Sequence, residues 1–236
     1  MKKGILYLIP TPISGDDLSS FLLPKDKRII EELDTFVVET AKKARAHLGT
    51  LNLKKRIQDI QITELNEHTK NYQIADMIIP LIQGHNMGLM SDAGVPSVAD
   101  PGYKIVIEAQ KKEIEVIPLI GPSSIILALM ASGLNGQDFA FNGYLPKENN
   151  ELRKKIRSLE LYAKGTGQTQ IFMEAPYRNQ KVFDILTSVC ESNTYLCIAQ
   201  NITSKDEFIK TKTIAAWKRE KKKLADTPCL FLLNKI

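Results

Sequence analysis

Residues 88–103 read Gly-Leu-Met-Ser-Asp-Ala-Gly-Val-Pro-Ser-Val-Ala-Asp-Pro-Gly-Tyr, an apolar strand end that opens into a rigid, polar loop. Asp92 stands just past the apolar residues, Gly94 removes a side chain where another molecule could approach, and Pro96 and Pro101 restrict the backbone between them. In α/β proteins, ligands collect at loops that follow the carboxyl ends of strands. On the sequence alone, a plain connection in which Asp92 only caps a helix accounts for the segment equally well. Pro101 and Gly102, ahead of an apolar periodic run, mark the expected first turn of the next helix.

A second segment repeats the pattern. The strand-like run 114–119 ends in Ile120-Gly121-Pro122-Ser123-Ser124, and an apolar helix over 125–131 follows and stops near Gly133. Hydroxyls at Ser123 and Ser124 are hydrogen-bonding groups, and the free N–H groups of a first helical turn favour an anionic group such as a carboxylate.

The elements that would carry these loops follow from periodicity. Strands at 4–9, 35–38, 61–65, 86–90 and 114–118 alternate with helix-like segments, the pattern of a mostly parallel sheet covered on both faces. From Phe139 the pattern restarts: strands at 139–143, 169–173, 195–199, 208–214 and 229–233, with helices over 148–164 and 177–188. The short spacings in this half predict a mixed sheet. The fold class is therefore α/β with two domains, 1–118 and 119–236, and Lys164-Gly165-Thr166-Gly167-Gln168 reads as a flexible turn.

Composition sets the class. With 236 residues, 43% hydrophobic and 25% charged, the chain can bury a substantial core. No apolar run approaches the roughly 20 residues of a membrane span, and Pro10 and Pro12 interrupt the only segment resembling a leader, so residues 5–9 read as the first strand. Cys190, Cys197 and Cys229 lack paired spacing and sit in apolar stretches, which suits buried reduced thiols and a cytoplasmic protein. His47, His68 and His85 show no metal-binding spacing and are expected on the surface or in loops, so no metal is expected. Residues 145–236 carry 17 basic and 10 acidic side chains against 15 and 17 in residues 1–144. The basic runs around Arg153-Lys154-Lys155 and Lys218–Lys223 suit RNA phosphates and suit solvated helix faces equally.

Four stretches resemble the tetrapyrrole-methylase superfamily of S-adenosylmethionine-dependent methyltransferases, and within it the bacterial branch that methylates a ribose 2′-hydroxyl in 16S ribosomal RNA. They are Leu6-Tyr7-Leu8-Ile9-Pro10-Thr11-Pro12-Ile13, the Ser91–Tyr103 loop, residues 118–133 continuing through Phe141-Asn142-Gly143-Tyr144-Leu145-Pro146-Lys147, and Ile171-Phe172-Met173-Glu174-Ala175-Pro176-Tyr177-Arg178. The chain departs from that branch in having Ser14-Gly15 in place of Gly-Asn, Glu39-Thr40-Ala41-Lys42 in place of Glu-Asp-Thr-Arg, and Gln200-Asn201-Ile202-Thr203 in place of Arg-Glu-Leu-Thr, and it lacks the branch's additional C-terminal region. The cofactor-side signature is thus better kept than the substrate-side one.

The resemblance implies S-adenosylmethionine in a cleft between two domains, with contacts from Pro12, Asp92, Ala93, Gly94, Val95, Ser123 and Ser124, and an adenine enclosed near Met173 and Pro228. It implies Glu39 and Glu67 as candidate proton acceptors, Glu174 and Arg178 on the substrate side, ribosomal RNA or the small ribosomal subunit as partner, and a homodimer. Each of these carboxylates has an alternative role in capping or ion pairing. Two other functions stay open: methylation of a tetrapyrrole or other small molecule, and noncatalytic RNA or ribosome binding on the same fold.

Overall fold

The computed structural model describes residues 2–66 and 68–235. The chain forms two compact units, Met1–Ser123 and Ser124–Ile236.

The first unit runs β1 (Ile5–Ile9), α1 (Pro24–Glu32), β2 (Thr35–Val38), α2 (Ala41–Leu48), β3 (Gln61–Glu64), α3 (Asn71–Met77), α4 (Ile79–Ile82), β4 (Met87–Met90), α5 (Tyr103–Lys111) and β5 (Glu115–Pro118). Its sheet has the order β3-β2-β4-β1-β5, and every neighbouring pair is parallel. Side chains alternate between the faces of a strand, and the two apolar clusters follow that alternation. Tyr7, Ile9, Phe36, Val38 and Met90 pack with Leu18, Ile30 and Leu48 on one side. Leu6, Val37, Met87 and Leu89 pack with Ile74, Leu81 and Ile105 on the other. Gly88 belongs between these layers because any Cβ there would lie 2.6 Å from both Ile9 Cδ1 and Phe36 Cδ1.

The second unit runs α6 (Ser124–Ser132), β6 (Phe139–Tyr144), α7 (Asn149–Thr166), β7 (Thr169–Glu174), α8 (Asn179–Val189), β8 (Tyr195–Gln200), β9 (Phe208–Thr213), α9 (Ile214–Glu220) and β10 (Cys229–Asn234). The order is β6-β7-β10-β8-β9, with β6 and β7 parallel and the other pairs antiparallel. Leu152 and Ile156 of α7, Val182 and Leu186 of α8, and Trp217 of α9 pack against Phe172, Ile198 and Phe231 of the sheet. Trp217 is fully buried, and its indole N–H is satisfied by the Leu196 carbonyl at 2.8 Å. Both sheets match the expected classes, one parallel and one mixed.

Some local readings need correction. The helix expected from Pro101 begins at Tyr103, with a turn over the two residues before it. The turn expected over 164–168 is largely helical: α7 continues through Gly165 to Thr166, and Gly167, at φ +74°, supplies the left-handed stop. His47 is buried in α2, with Nδ1 3.1 Å from the Asp16 carbonyl oxygen. The three cysteines are buried and free.

Candidate functional site

In the first unit three loops meet at the carboxyl ends of neighbouring strands. After β1, Thr11 forms a two-bond backbone bridge with Gly94: Thr11 N–H donates to Gly94 at 2.8 Å and Gly94 N–H donates back at 3.1 Å. Thr11 is fully buried, and its hydroxyl faces the carbonyls of Ser91 and Gly94 at 3.3 and 3.4 Å. Gly94 has φ +80°, which a residue with a Cβ adopts only with strain, and a Cβ built there would lie 3.6 Å from the Pro122 carbonyl. Gly121 lies against Pro10 so closely that a Cβ would approach the proline ring to 2.2 Å. The two loops singled out in the sequence, around Asp92 and around Ser123, are therefore drawn together, with the Pro10–Pro12 segment beside them.

Acidic groups gather at the adjoining ends of β2 and β4. The Glu39 carboxylate accepts the Asp92 N–H at 3.0 Å, and the Glu39 N–H donates to the Met90 carbonyl at 3.2 Å. Asp92 Oδ2 accepts the Thr40 hydroxyl at 2.9 Å and pairs with Lys43 at 3.2 Å. Beyond them, Ser97 at φ +69° and Ala99 at φ +62° bend the loop through left-handed conformations. Each costs of the order of 1 kcal/mol in a residue with a side chain. That bend turns Asp100 inward, where its Oδ1 accepts the Gly102 N–H at 2.6 Å while its Oδ2 and the Ser97 hydroxyl oxygen are buried without partners. Burial, with a smaller contribution from the nearby Glu39 charge, pushes the Asp100 carboxyl up to about 6 against the lowering effect of the loop's amide hydrogen bonds. The crevice bounded by Glu39, Leu65, Leu89 and Asp100 has no room for a water molecule.

A larger cavity of about 360 Å³, lined by Tyr7, Asp34, His85 and Asn86, lies beside the residues that precede β2 and β4. That is the opposite end of the sheet, and the cavity contains none of the residues expected at the site.

In the second unit, Glu174 and Arg178 are both buried, with Arg178 Nη2 3.3 Å from Glu174 Oε2. That oxygen has no hydrogen-bond partner, so the contact is ionic without donor alignment. Their other bonds go to loops: Arg178 donates to the Pro146 carbonyl at 2.8 Å, and Glu174 Oε1 accepts the Ala175 N–H at 2.8 Å. Met173 is half-buried in β7 and pairs with Leu230. The segment before β10, which includes Pro228, is held by buried amides. Asn179 donates to the carbonyls of Ala225 and Thr227 at 3.0 and 2.7 Å, and Gln200 to Ala225 at 2.9 Å. Ser124 opens α6. Glu67 lies outside the described residues.

Sequence reasoning did not single out Thr11, Thr40, Lys43 or Asp100. Asp100 had a signal, since Asp-Pro-Gly is a turn sequence whose acid side chain bonds its own backbone two residues on. The others depend on contacts between residues about 50 or more positions apart. Among the described residues no cluster of three or more metal-binding side chains occurs, and no helix is long and apolar enough to cross a membrane.

The Glu39 and Asp92 carboxylates beside the junction of Thr11, Gly94 and Pro122 give this end of the parallel sheet an acidic, hydrogen-bonding edge. Residues 6–217 match the family model described as Tetrapyrrole (Corrin/Porphyrin) Methylases. The chain is 31% identical over 221 residues to Ribosomal RNA small subunit methyltransferase I of Halalkalibacterium halodurans, covering 92% of this chain and 72% of that protein. It is 34% identical to the protein of the same name from Buchnera aphidicola, covering 93% and 74%. Among solved structures it is similar to uroporphyrin-III-C-methyltransferase from Thermus thermophilus, with TM-score 0.58, 16% identity and coverage of 100% and 93%. The methyltransferase CobJ gives TM-score 0.64, 17% identity and coverage of 98% and 94%. At those identities the two structures speak for the fold alone.

Proposed function

Because the chain belongs to the tetrapyrrole (corrin/porphyrin) methylase family, and so is a methyltransferase that draws on a methyl donor, we propose that it methylates a ribose 2′-hydroxyl of small-subunit ribosomal RNA with S-adenosylmethionine. The names of the two relatives at 31% and 34% identity support the RNA acceptor. The observation that carries the donor assignment is the junction of Thr11, Gly94 and Pro122 beside the Glu39 and Asp92 carboxylates. In the cell, the proposal places a homodimer in the cytoplasm.

In the first unit, Pro12, Ala93, Gly94, Val95 and Ser123 would hold the donor, with Asp92 contributing negative charge. For the second unit the same proposal assigns donor contacts to Ser124 and to the backbone at Met173 and Pro228. When bound, the donor supplies an electrophilic methyl group on a sulfonium, which suits carboxylate neighbours. A ribose hydroxyl is a weak nucleophile, so the chain's tasks are alignment, exclusion of water and removal of one proton. We assign that proton to Glu39, whose carboxylate is already oriented by the Asp92 N–H. Glu39 would take the hydroxyl proton as the acceptor oxygen gains the methyl group that the donor would supply. Glu174 and Arg178 act on the substrate side by fixing the loops after β6 and β7.

The test is tritiated-methyl transfer to small ribosomal subunits from a strain lacking the protein, with mapping of the label, alongside calorimetry with S-adenosylmethionine. Label on a ribose oxygen of the small-subunit RNA is expected. Donor binding without label in RNA would redirect the acceptor assignment, and no donor binding would remove the enzymatic one.

A further inference from the structure

Two large side chains of the second unit lie exposed at one end of its sheet. Tyr144 ends β6 and is 63% exposed, and Tyr177, just past β7, is 73% exposed. Their strands are parallel neighbours, with Tyr144 paired to Met173, so both tyrosines leave the sheet at the carboxyl end. Exposed tyrosines scattered singly are ordinary. These two sit on positions that the surrounding structure specifies. The β6–β7 register shifts between Phe141 and Tyr144, and Gly143 takes φ +63°, an irregularity of the kind that re-aims a side chain. Next to it in the strand, the half-buried Asn142 donates to the Gln170 side chain at 3.1 Å. Tyr177 is fixed by the helical turn Pro176–Arg178, closed by the Arg178 N–H on the Ala175 carbonyl at 2.8 Å. The buried Arg178 side chain then joins the two loops by its bond to the Pro146 carbonyl.

The charge around them has one sign. Lys147 follows the β6 loop, Lys181 lies one helical turn after Tyr177, both are exposed, and neither has an ion pair among the described residues. The acids nearby are committed, Glu174 to Arg178 and Ala175, and Glu148 to the N–H groups of Asn150 and Glu151 at the start of α7. Aromatic faces bordered by unpaired lysines are the chemistry of single-stranded nucleic acid recognition, in which bases stack and phosphates meet cations.

We infer that Tyr144 and Tyr177 form a stacking platform for unpaired bases of the RNA substrate, with Lys147 and Lys181 meeting the adjoining phosphates. This rests on the reading of RNA as acceptor. The sites assigned to the donor are separate residues, so loss of the platform weakens RNA binding and leaves donor binding intact.

The experiment compares wild type with Tyr144→Ala, Tyr177→Ala, the Tyr144→Phe/Tyr177→Phe double variant and Lys147→Ala. The readouts are small-subunit RNA affinity at two salt concentrations, S-adenosylmethionine affinity by calorimetry, methyl transfer, and sedimentation. Each alanine variant should lose about 5- to 100-fold in RNA affinity, the range of one base stack, with donor affinity and sedimentation unchanged. The phenylalanine variant should keep its affinity, and Lys147→Ala should lower the salt dependence by about one phosphate. Alanine variants that bind RNA like wild type, in a wild type that does bind and methylate it, would overturn the platform alone. A wild type that binds donor but neither binds nor methylates RNA would overturn the RNA reading and the platform with it. An altered oligomeric state in the alanine variants would overturn it in favour of a protein interface.

Discussion

The carboxylate of Glu39, at the end of β2, accepts the backbone N–H of Asp92, the second residue past β4, at 3.0 Å. One side chain therefore orients the start of the Ser91–Gly102 loop and presents an acid at the same place. The two roles are separable. Glu39→Gln keeps an oxygen for the Asp92 N–H and removes the base, so methyl transfer should fall about 10²- to 10⁴-fold while donor affinity stays within a few-fold. Glu39→Ala removes both, and should weaken donor binding as well. Single-turnover rates beside calorimetry check this, and a Glu39→Gln enzyme with wild-type turnover would leave Glu39 only its positioning role.

Gly94 and Gly121 support the same junction for different reasons, and their alanine variants should differ accordingly. At Gly94 the obstacle is conformational: φ is +80° and the nearest atom to an added Cβ is a carbonyl oxygen at 3.6 Å. The expected loss is about 1–2 kcal/mol. At Gly121 the obstacle is the Pro10 ring at 2.2 Å, which cannot rotate away. Gly121→Ala should cost about 3 kcal/mol or more, with donor affinity falling alongside as the Pro10–Pro12 segment shifts. Urea unfolding and calorimetry measure both, and equal losses at the two positions would contradict the geometric distinction.

The Glu174–Arg178 pair is buried, so removing one partner strands the other. Arg178→Met should destabilise the protein by about 3–5 kcal/mol, and the double variant Glu174→Met/Arg178→Met should lose less than the single one. The loops after β6 and β7 should loosen together because Arg178 also holds the Pro146 carbonyl. Amide hydrogen exchange at residues 145–148 and 175–178 reports that loosening, and a double variant worse than Arg178→Met would argue that the pair is net favourable.

The parallel sheet was legible because its strands alternate side chains between two buried faces, as Leu6, Tyr7 and Ile9 do across the two clusters. The loops around Asp92 and Ser123 were legible from Gly94, Gly121 and their prolines, whose backbone requirements are written in residue type. Side-chain partnerships across the sheet were not. Nothing local to Thr40 or Lys43 announces Asp92 as a partner, and nothing local to Thr11 announces a bridge to a residue more than 80 positions away. The left-handed turns at Ser97 and Ala99 were hidden because serine and alanine rarely adopt them. The end of α7 was misread because Gly165 continues a helix that Gly167 terminates.

Asp100 gives the loop a pH dependence of definite sign. Its carboxyl is raised by burial from the ordinary 3.8 to about 6 in the folded chain. Between those values the native state holds a proton that the unfolded state has released, so stability falls as pH rises from about 4 to 6, and the cost of the ionised carboxylate persists above that. Glu39 faces Asp100 with charge of the same sign, which deepens the cost, while the N–H groups of Ser97, Val98 and Gly102 reduce it. Asp100→Asn keeps an oxygen for Gly102 and carries no charge. It should therefore exceed wild type in stability at pH 7.5 by about 1 kcal/mol, less than burial alone would give because water still screens part of the group. The advantage should shrink towards zero near pH 4. Urea unfolding of both proteins at pH 4.2 and 7.5 decides it, and an advantage that does not change with pH would mean that folding leaves the titration of the inward carboxyl unshifted.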